Sequence, residues 1–427
     1  MKKQMRLNGR KSKKNVLIVG LLTTALMAGT LLTTGNVGLV STVDAATSTN
    51  GAGGAASALT KFKDIKGHWA QATIVEAFDK NLISGYQDGT FRPNAKITRG
   101  EYATLLSRAT SLEKVQGENP FADLKRHWSE SAVTQLVGQG FIHASDYPKG
   151  FNPNAELTRY EMMKWIANGL IKSGTSFQDA FDDTRDTLLP TPEVNRGTIR
   201  AEQIPYLALV RGTGIVGGFE DGSLKPSDPT TRAEVSAILL RYMDVEGTDA
   251  EKYSDLNEMR EVGTTGTNLT TVSNYKYIKG SFADIVNTEY TLKNNVGVVK
   301  YHRFIVVDTR GSKSKGLYAS LFVDENNLTR AQKGQFSTYA EITFTSKLEK
   351  SNLLTFARAN DNIAIPIQRL FNVDYLKAKG FITLPDDSNG MLKKERPVKF
   401  WTSHTLDPVK GGYMLQNDAG KEIQIYQ

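Results

Sequence analysis

The set Thr98-Arg99-x-Glu101 recurs as Thr158-Arg159-x-Glu161 and as Thr231-Arg232-x-Glu234. A threonine three residues ahead of a glutamate has capping-box spacing: the hydroxyl accepts from a backbone N–H and the carboxylate reaches back, so three boxes mark three helix starts. The arginine inside each box is open to two readings, solvated surface charge or a binding group. Other chemistry is thin. The chain has no cysteine, which excludes a disulfide framework, a thiolate zinc site, an iron-sulfur cluster and a cysteine nucleophile. His68 and His127 each precede a tryptophan and read as local caps, because no second metal ligand sits at helical or short-loop spacing. His302 and His404 belong to no triad or metal pattern. Asp284, Glu289, Asp308 and Glu341 are in principle able to furnish a glycosidase carboxylate pair, but nothing in the sequence pairs them and they read as surface acids. No catalytic residue, metal or cofactor is predicted.

The boxes belong to a longer repeat. Phe62-Lys63-Asp64-Ile65 returns as Phe121-Ala122-Asp123-Leu124 and as Phe181-Asp182-Asp183-Thr184, and His68-Trp69 returns as His127-Trp128. Gly85-Tyr86-Gln87-Asp88-Gly89-Thr90-Phe91-Arg92-Pro93 aligns without a gap with Gly218-Phe219-Glu220-Asp221-Gly222-Ser223-Leu224-Lys225-Pro226. Each unit reads as helix, turn-rich loop, helix: Ile74, Phe78 and Leu82 form an apolar stripe, and behind each box four apolar offsets repeat, as in Tyr102, Leu105, Leu106 and Ala109. A two-helix unit of about 50 residues buries too little surface to stand alone, so one compact domain is expected from Phe62 to Asp244, with the capped helices at its centre. Trp69 and Trp128 read as core residues, with ligand stacking as the alternative. Copy three lacks the His-Trp pair and carries extra residues around Leu188 to Gly197, read as a surface loop before a helix starting near Ala201.

Phe-x-Asp, His-Trp, Gly-Tyr-x-Asp-Gly-Thr-Phe-x-Pro and Ile-Thr-Arg-x-Glu, in this order and in three copies, resemble S-layer homology (SLH) domains. The resemblance covers residues 62–244 and implies an all-α pseudo-threefold trimer. It further implies a bacterial envelope protein, most readily Gram-positive, held without covalent attachment to secondary cell-wall polysaccharide that typically carries pyruvylated sugars. The polymer contacts expected on this basis are Arg99, Arg159, Arg232, Gly85, Gly218, Tyr86, Phe219, Asp64, Asp123 and Asp183, with Thr98, Glu101, Thr158, Glu161, Thr231 and Glu234 as caps. An arginine fork matches a ketal-pyruvate carboxylate, and each arginine stands at the positive end of a helix whose N–H groups are expected to point outward. The glycines would let backbone approach the sugar and the aromatic rings would face its C–H surface. Copy two replaces the Gly-Tyr-x-Asp-Gly loop with Ser145-Asp146-Tyr147-Pro148-Lys149-Gly150-Phe151, which makes its groove the doubtful one.

The flanks complete the organisation: residues 1–45 as signal peptide, 46–61 as tether, repeats at 62–112, 121–172 and 181–244, a linker at 245–272 and a β-rich domain at 273–427. A basic run, the apolar Val16–Leu22 stretch and small residues up to Ala45 read as an export signal cut after Ala45 or Ala46, with no span left in the mature protein. Without residues 1–45 the charge balance is 46 basic against 44 acidic residues, so no field attracts nucleic acid. Beyond 273, β-rich runs such as Phe304–Val307 and Leu317–Val323, alternation at Ala340, Ile342 and Phe344, and a terminal hairpin around Asn417-Asp418-Ala419-Gly420 predict a sandwich or barrel, with short helices at Asn352–Arg358 and Ile367–Leu376. The whole predicts a secreted, wall-bound surface protein, without enzymatic activity, that displays a structural or interaction module and meets other surface-layer subunits. The alternative is a small glycan or peptide hydrolase delivered to the wall.

Overall fold

The computed structural model describes residues 61–427 except positions 116, 328, 351, 363, 385–389 and 410. The export signal and, apart from Lys61, the tether lie outside the described residues.

Three helices open on complete capping boxes: α2 (Arg99–Ala109), α4 (Arg159–Ser173) and α8 (Arg232–Val245). Each is preceded by an extended residue that hydrogen-bonds the next copy, and these bonds close a triangle: Ile97 N–H to Thr230 O (3.1 Å), Thr230 N–H to Leu157 O (3.1 Å), and Leu157 N–H to Ile97 O (2.9 Å). Around it, α2 packs on α3 (Glu130–Gly138), α4 on α7 (Ile204–Gly212) and α8 on α1 (Gln71–Asp79), so each repeat's first helix covers its neighbour's capped helix. The capped helices carry the shared core, with Tyr102, Leu106, Met162, Trp165, Ile166, Val235, Leu239 and Tyr242 all buried. Glu246 locks the ring from outside by accepting from Thr110 Oγ1, Ser111 N–H and the Tyr242 hydroxyl, which ties the end of α8 to the end of α2.

Repeat 3 departs from the expectation in three ways. Phe181, Asp182 and Asp183 are not the third copy of Phe-x-Asp; they end an additional helix, α5 (Thr175–Asp183), where Asp183 accepts from Arg260 at 2.9 Å. The part that Asp64 and Asp123 play in repeats 1 and 2, accepting two consecutive loop N–H groups, falls to Glu193, which takes Leu224 N–H (2.9 Å) and Lys225 N–H (2.8 Å). The extra residues are no surface loop, because Leu188, Leu189, Thr191 and Glu193 are buried and α6 (Pro192–Asn195) forms among them. The helix expected near Ala201 is there, as a 3-10 turn at Ala201–Gln203 leading into α7.

The segment 245–272 is not a linker. Within it α9 (Ser254–Thr265) buries Leu256, Met259 and Val262 against α5 and α7, at so close an approach that a Cβ at Gly212 would lie 2.7 Å from Leu256 Cα. Gly266, read in sequence as part of a polar linker, is the left-handed residue that ends α9 (φ 85°). The short α10 (Leu269–Val272) follows. The stripe of α9 was obscured by its polar neighbours, since three apolar residues among twelve suffice when one face alone is covered.

Residues 273–427 form two antiparallel sheets and no closed barrel among the described residues. One has the order β1 (Lys276–Lys279), β7 (Glu422–Tyr426), β6 (Tyr413–Gln416); the other runs β2 (Glu289–Thr291), β3 (Gly297–Val307), β4 (Phe336–Ser346), β5 (Pro397–Leu406). The predicted terminal hairpin is β6–β7. The run Leu317–Val323 is not a strand: its Ala319–Phe322 part is α11. The helix predicted at Asn352–Arg358 is present as α12 (Leu353–Ala359), whereas the one predicted at Ile367–Leu376 starts later, as α13 (Val373–Ala378). The four-stranded sheet is covered on both faces. Phe304, Val306, Ile342 and Phe400 face the core of the β-rich region, while Ile305, Val307, Tyr339 and Trp401 join the core that runs through repeat 3. The inserted segment of repeat 3 supplies the dock, as Tyr318 Oη donates to Leu188 O (2.7 Å) and Arg303 Nη2 to Asp186 O (3.1 Å).

At this junction Glu258 is buried and accepts from Asn268 Nδ2 at 2.7 Å; the other end of Asn268 receives Val306 N–H. Burial raises the Glu258 carboxyl to about 7, against the opposing effect of the Asn268 bond. A carboxyl held protonated in the folded state stabilises fully below its unfolded value, and that stability is lost as pH rises through the folded value. The expected result is a loss of about 3 kcal/mol between roughly pH 4.5 and 7, abolished by Glu258→Gln. Thermal melts of both proteins at pH 5 and pH 8 check this, and an unchanged pH slope in the variant would contradict it.

Candidate functional site

The three arginines are the first residues of their helices, and the N–H groups there are already used. Arg99 and Gly100 donate to Ala155 O and Pro153 O, Arg159 and Tyr160 to Asp228 O and Pro226 O, and Arg232 and Ala233 to Ala95 O and Pro93 O. The third N–H of each helix goes to the cap threonine. The expected outward-pointing helix N–H groups are therefore absent at all three starts.

The forks are largely spoken for as well. Each capping glutamate uses Oε2 for its own threonine and turns Oε1 to the arginine of the preceding repeat. Arg99 meets Glu161 at 2.8 Å, Arg159 meets Glu234 at 2.7 Å, and Arg232 meets Glu101 at 3.6 Å, so the pairs run once around the ring. Each arginine also donates to a loop carbonyl of the repeat it reaches: Phe151 O, Leu224 O and Phe91 O. It lies over an aromatic ring of that same loop, Tyr147 at 5.1 Å, Phe219 at 4.7 Å or Tyr86 at 4.8 Å. A capping glutamate has a second oxygen to satisfy, and Arg-x-Glu in triplicate was the signal for this ring in the sequence.

The glycines and aspartates serve the loops. A Cβ at Gly85 would fall 2.1 Å from the Phe62 ring, and Gly218 holds a left-handed φ of 85°. Asp64 and Asp123 spend both oxygens on loop N–H groups, and Asp183 lies outside the loops altogether. His68 takes Ala70 N–H on Nδ1 and bonds Asn94 of the following loop through Nε2, and His127 bonds locally with Ser129. Among the described residues no group of three or more histidines and acids is placed to hold a metal ion.

The three inter-repeat grooves differ. Between repeats 1 and 2 the Arg99 fork is filled by Glu161 and Phe151 O, and Tyr147, 9% exposed, packs over it with its hydroxyl on Glu161 and on Trp165 Nε1. Between repeats 2 and 3, Phe219 remains exposed, with Lys225 4.1 Å from its centroid. The groove between repeats 3 and 1 is open, with a volume of about 200 Å³, and is lined by Tyr86, Glu101, Leu105, Arg108, Trp128 and Arg232. Trp128 is 61% exposed and Trp69 67%, so neither tryptophan belongs to the core as expected. Both stand ahead of their helices, outside the stripe that Val133 and Leu136 continue, which is the signal that argued against burial. Arg108 is exposed and has no ion pair or hydrogen bond among the described residues. Sequence reasoning missed it, along with Glu193.

Each of the four possible glycosidase acids of the β-rich region is engaged by its own partner. Asp284 accepts from Ser281 N–H, Glu289 pairs with Lys300, Asp308 with Arg310, and Glu341 with Arg303 and Lys399.

A closed helical ring of three repeats with arginine-glutamate pairs across each joint defines the class of module. The family model for the S-layer homology domain matches residues 61–103, 120–172 and 201–236, and the chain carries three S-layer homology domains. It is 37% identical over 118 residues to a cellulosome-anchoring protein of Acetivibrio thermocellus, covering 26% of each chain. Over 218 residues it is 27% identical to a surface-layer 125 kDa protein of Lysinibacillus sphaericus, covering 50% of this chain and 17% of that one. An amylopullulanase of Thermoanaerobacterium thermosulfurigenes is 25% identical over 187 residues, 44% of this chain and 10% of the relative. The chain thus spans about a quarter or less of the length of these relatives. Three such domains imply cell-wall anchoring and a secreted, wall-associated protein. No helix among the described residues is long and apolar enough to cross a membrane.

Proposed function

We propose that the chain anchors itself non-covalently to the wall by taking an acidic saccharide of a secondary wall polymer, its anion a pyruvyl carboxylate, into the groove between repeats 3 and 1. The observation that carries this reading is the pair of unspent groups there, the Arg108 guanidinium and the exposed face of Trp128. A guanidinium fork accepts a planar carboxylate through two parallel charge-assisted bonds, and an indole face suits the C–H surface of a pyranose. Arg232 adds positive charge beside them while its own bonds go to Phe91 O and Ser84 O. The groove at Phe219 serves as a second, weaker site. The domain boundaries follow the repeats, with the region beyond 245 as a non-catalytic structural module built onto repeat 3 and facing other surface-layer subunits. The cellulosome-anchoring and surface-layer relatives support such a role, while the amylopullulanase relative keeps delivery of an enzyme as the competing reading.

The test is sedimentation of the full chain with purified walls. Arg108→Ala with Trp128→Ala is expected to weaken retention at least tenfold, a cost of about 1.4 kcal/mol or more, with the melting temperature unchanged. Removing pyruvate from the walls is expected to do the same to the unaltered chain. Undiminished retention of the double variant would refute the groove assignment.

A further inference from the structure

Repeats 1 and 3 close their Asp-Gly loops in the same way. Tyr86 N–H meets Thr90 O and Gly89 N–H meets Tyr86 O; Phe219 N–H meets Ser223 O and Gly222 N–H meets Phe219 O. In each, the aspartate accepts from the residue two positions on. They differ in what holds the tip. In repeat 1 the Asp88 carboxylate is pinned by Arg92 of its own loop, at 2.9 Å. In repeat 3 the residue at the matching position, Lys225, lies over Phe219 as Arg92 lies over Tyr86, but it makes no hydrogen bond to Asp221 among the described residues, and the tip is held from outside, by Lys379 Nζ donating to Asp221 O at 2.7 Å.

Lys379 comes from the β-rich region, immediately after α13, and its placement is firm. Arg196 Nη2 donates to Ala378 O (2.6 Å) and Asn195 Nδ2 to Lys379 O (3.5 Å). Gly380 has φ 87° and lies so near that a Cβ would meet Arg196 N at 3.2 Å, so the turn at 378–380 sits directly on the inserted segment of repeat 3. The same segment carries Glu193, which holds Leu224 and Lys225 N–H on the other arm of the loop. One arm of the Phe219 loop is thus fixed by Glu193, which does in repeat 3 what Asp64 does in repeat 1, and the tip by Lys379, which has no counterpart there and comes from outside the three repeats.

We propose that Lys379 is a positioning residue for the groove between repeats 2 and 3, through which the β-rich region holds Phe219 in its ligand-ready place. Residues outside the repeats thereby set the affinity of one wall-binding groove. A loop held in its bound form spares the ordering cost on binding, so release of the tip weakens that groove alone. The inference rests on the reading that these grooves bind wall polymer.

The test uses the full chain carrying Trp128→Ala and Arg108→Ala, so that the remaining binding reports the Phe219 groove, titrated with purified secondary wall polysaccharide. Lys379→Met is expected to weaken that binding roughly fivefold or more. Lys379→Arg is expected to restore most of it, and Lys379→Met is expected to have no further effect once Phe219→Ala is present. Unchanged affinity in Lys379→Met, or an equal loss with and without Phe219→Ala, overturns the positioning role while leaving anchoring intact. Absence of binding by the unaltered chain overturns the anchoring reading and this inference with it.

Discussion

A chain ending at residue 245 is expected to lose its cooperative melt or to melt far lower, whereas a chain that keeps α9 and the β-rich region melts as one unit. The reason lies in what α9 covers. Leu256 and Met259 are fully buried and Val262 nearly so, and they pack on α5 and α7 of repeat 3. Fully burying such side chains contributes about 1.5–3 kcal/mol each, so their loss removes roughly 5–9 kcal/mol from a domain whose net stability is typically about 5–15 kcal/mol. Further losses follow, because Arg260 leaves Asp183 and Thr187 loses the Met259 carbonyl. Circular dichroism melts of chains ending at 245 and at 427 compare the two directly. Equal melting temperatures would mean that repeat 3 closes its core without α9.

The repeat architecture was legible because its signals are local and occur in triplicate. A capping box is read within four residues, and all three are present with both bonds made. Repeat 3 was misread because its latch changed residue type and position together. Glu193 replaces aspartate and lies in a stretch rich in proline and threonine, while Phe181-Asp182-Asp183 mimics the lost motif by chance on the end of α5. Spacing decided the alignment, and spacing is what an insertion alters. The interval 245–272 failed for a related reason: α9 draws most of its stability from tertiary burial of one narrow face, which a composition window averages away. The strands of the β-rich region were legible where alternation was clean, as in β4 and β7. Leu317–Val323 was not, since a short apolar run between two cores is equally served by one helical turn.

Within the site, residue types were easier to read than their obligations. The sequence offers three arginines and three glutamates; it does not show that each glutamate has one oxygen left after capping and that the ring geometry presents it to the arginine of the preceding repeat. Arg108, without an ion pair or hydrogen bond among the described residues, and the exposed Trp128 were the less conspicuous residues. Neither has a threefold set of counterparts: the position of Arg108 is occupied by Asn168 in repeat 2 and Arg241 in repeat 3, and repeat 3 has no His-Trp pair.

Arg159→Ala is expected to be the most destabilising single substitution in the ring, at about 3–5 kcal/mol. Arg159 is 4% exposed, its Nε donates to Leu224 O at 2.9 Å and its Nη1 to Glu234 at 2.7 Å. Removing the cation leaves Glu234 without its partner and Leu224 O, buried beneath the arginine, without a donor. Lysine does not restore the arrangement, because one ammonium cannot serve the carbonyl and the carboxylate in the fixed directions of a guanidinium. Arg232→Ala is expected to cost less, since its Glu101 oxygen is 3.6 Å away and Glu101 borders an open groove. Urea unfolding of the two alanine variants and of Arg159→Lys measures the order, and a loss below about 1 kcal/mol for Arg159→Ala would show that the ring pairs are solvated surface charge. The order also bears on how wall binding is tested. An arginine-to-alanine change in the ring weakens binding by loosening the joint between two repeats, whether or not the arginine touches sugar. Arg108 and Trp128, exposed and outside the ring of pairs, are the positions at which a loss of binding without a loss of stability reports the groove itself.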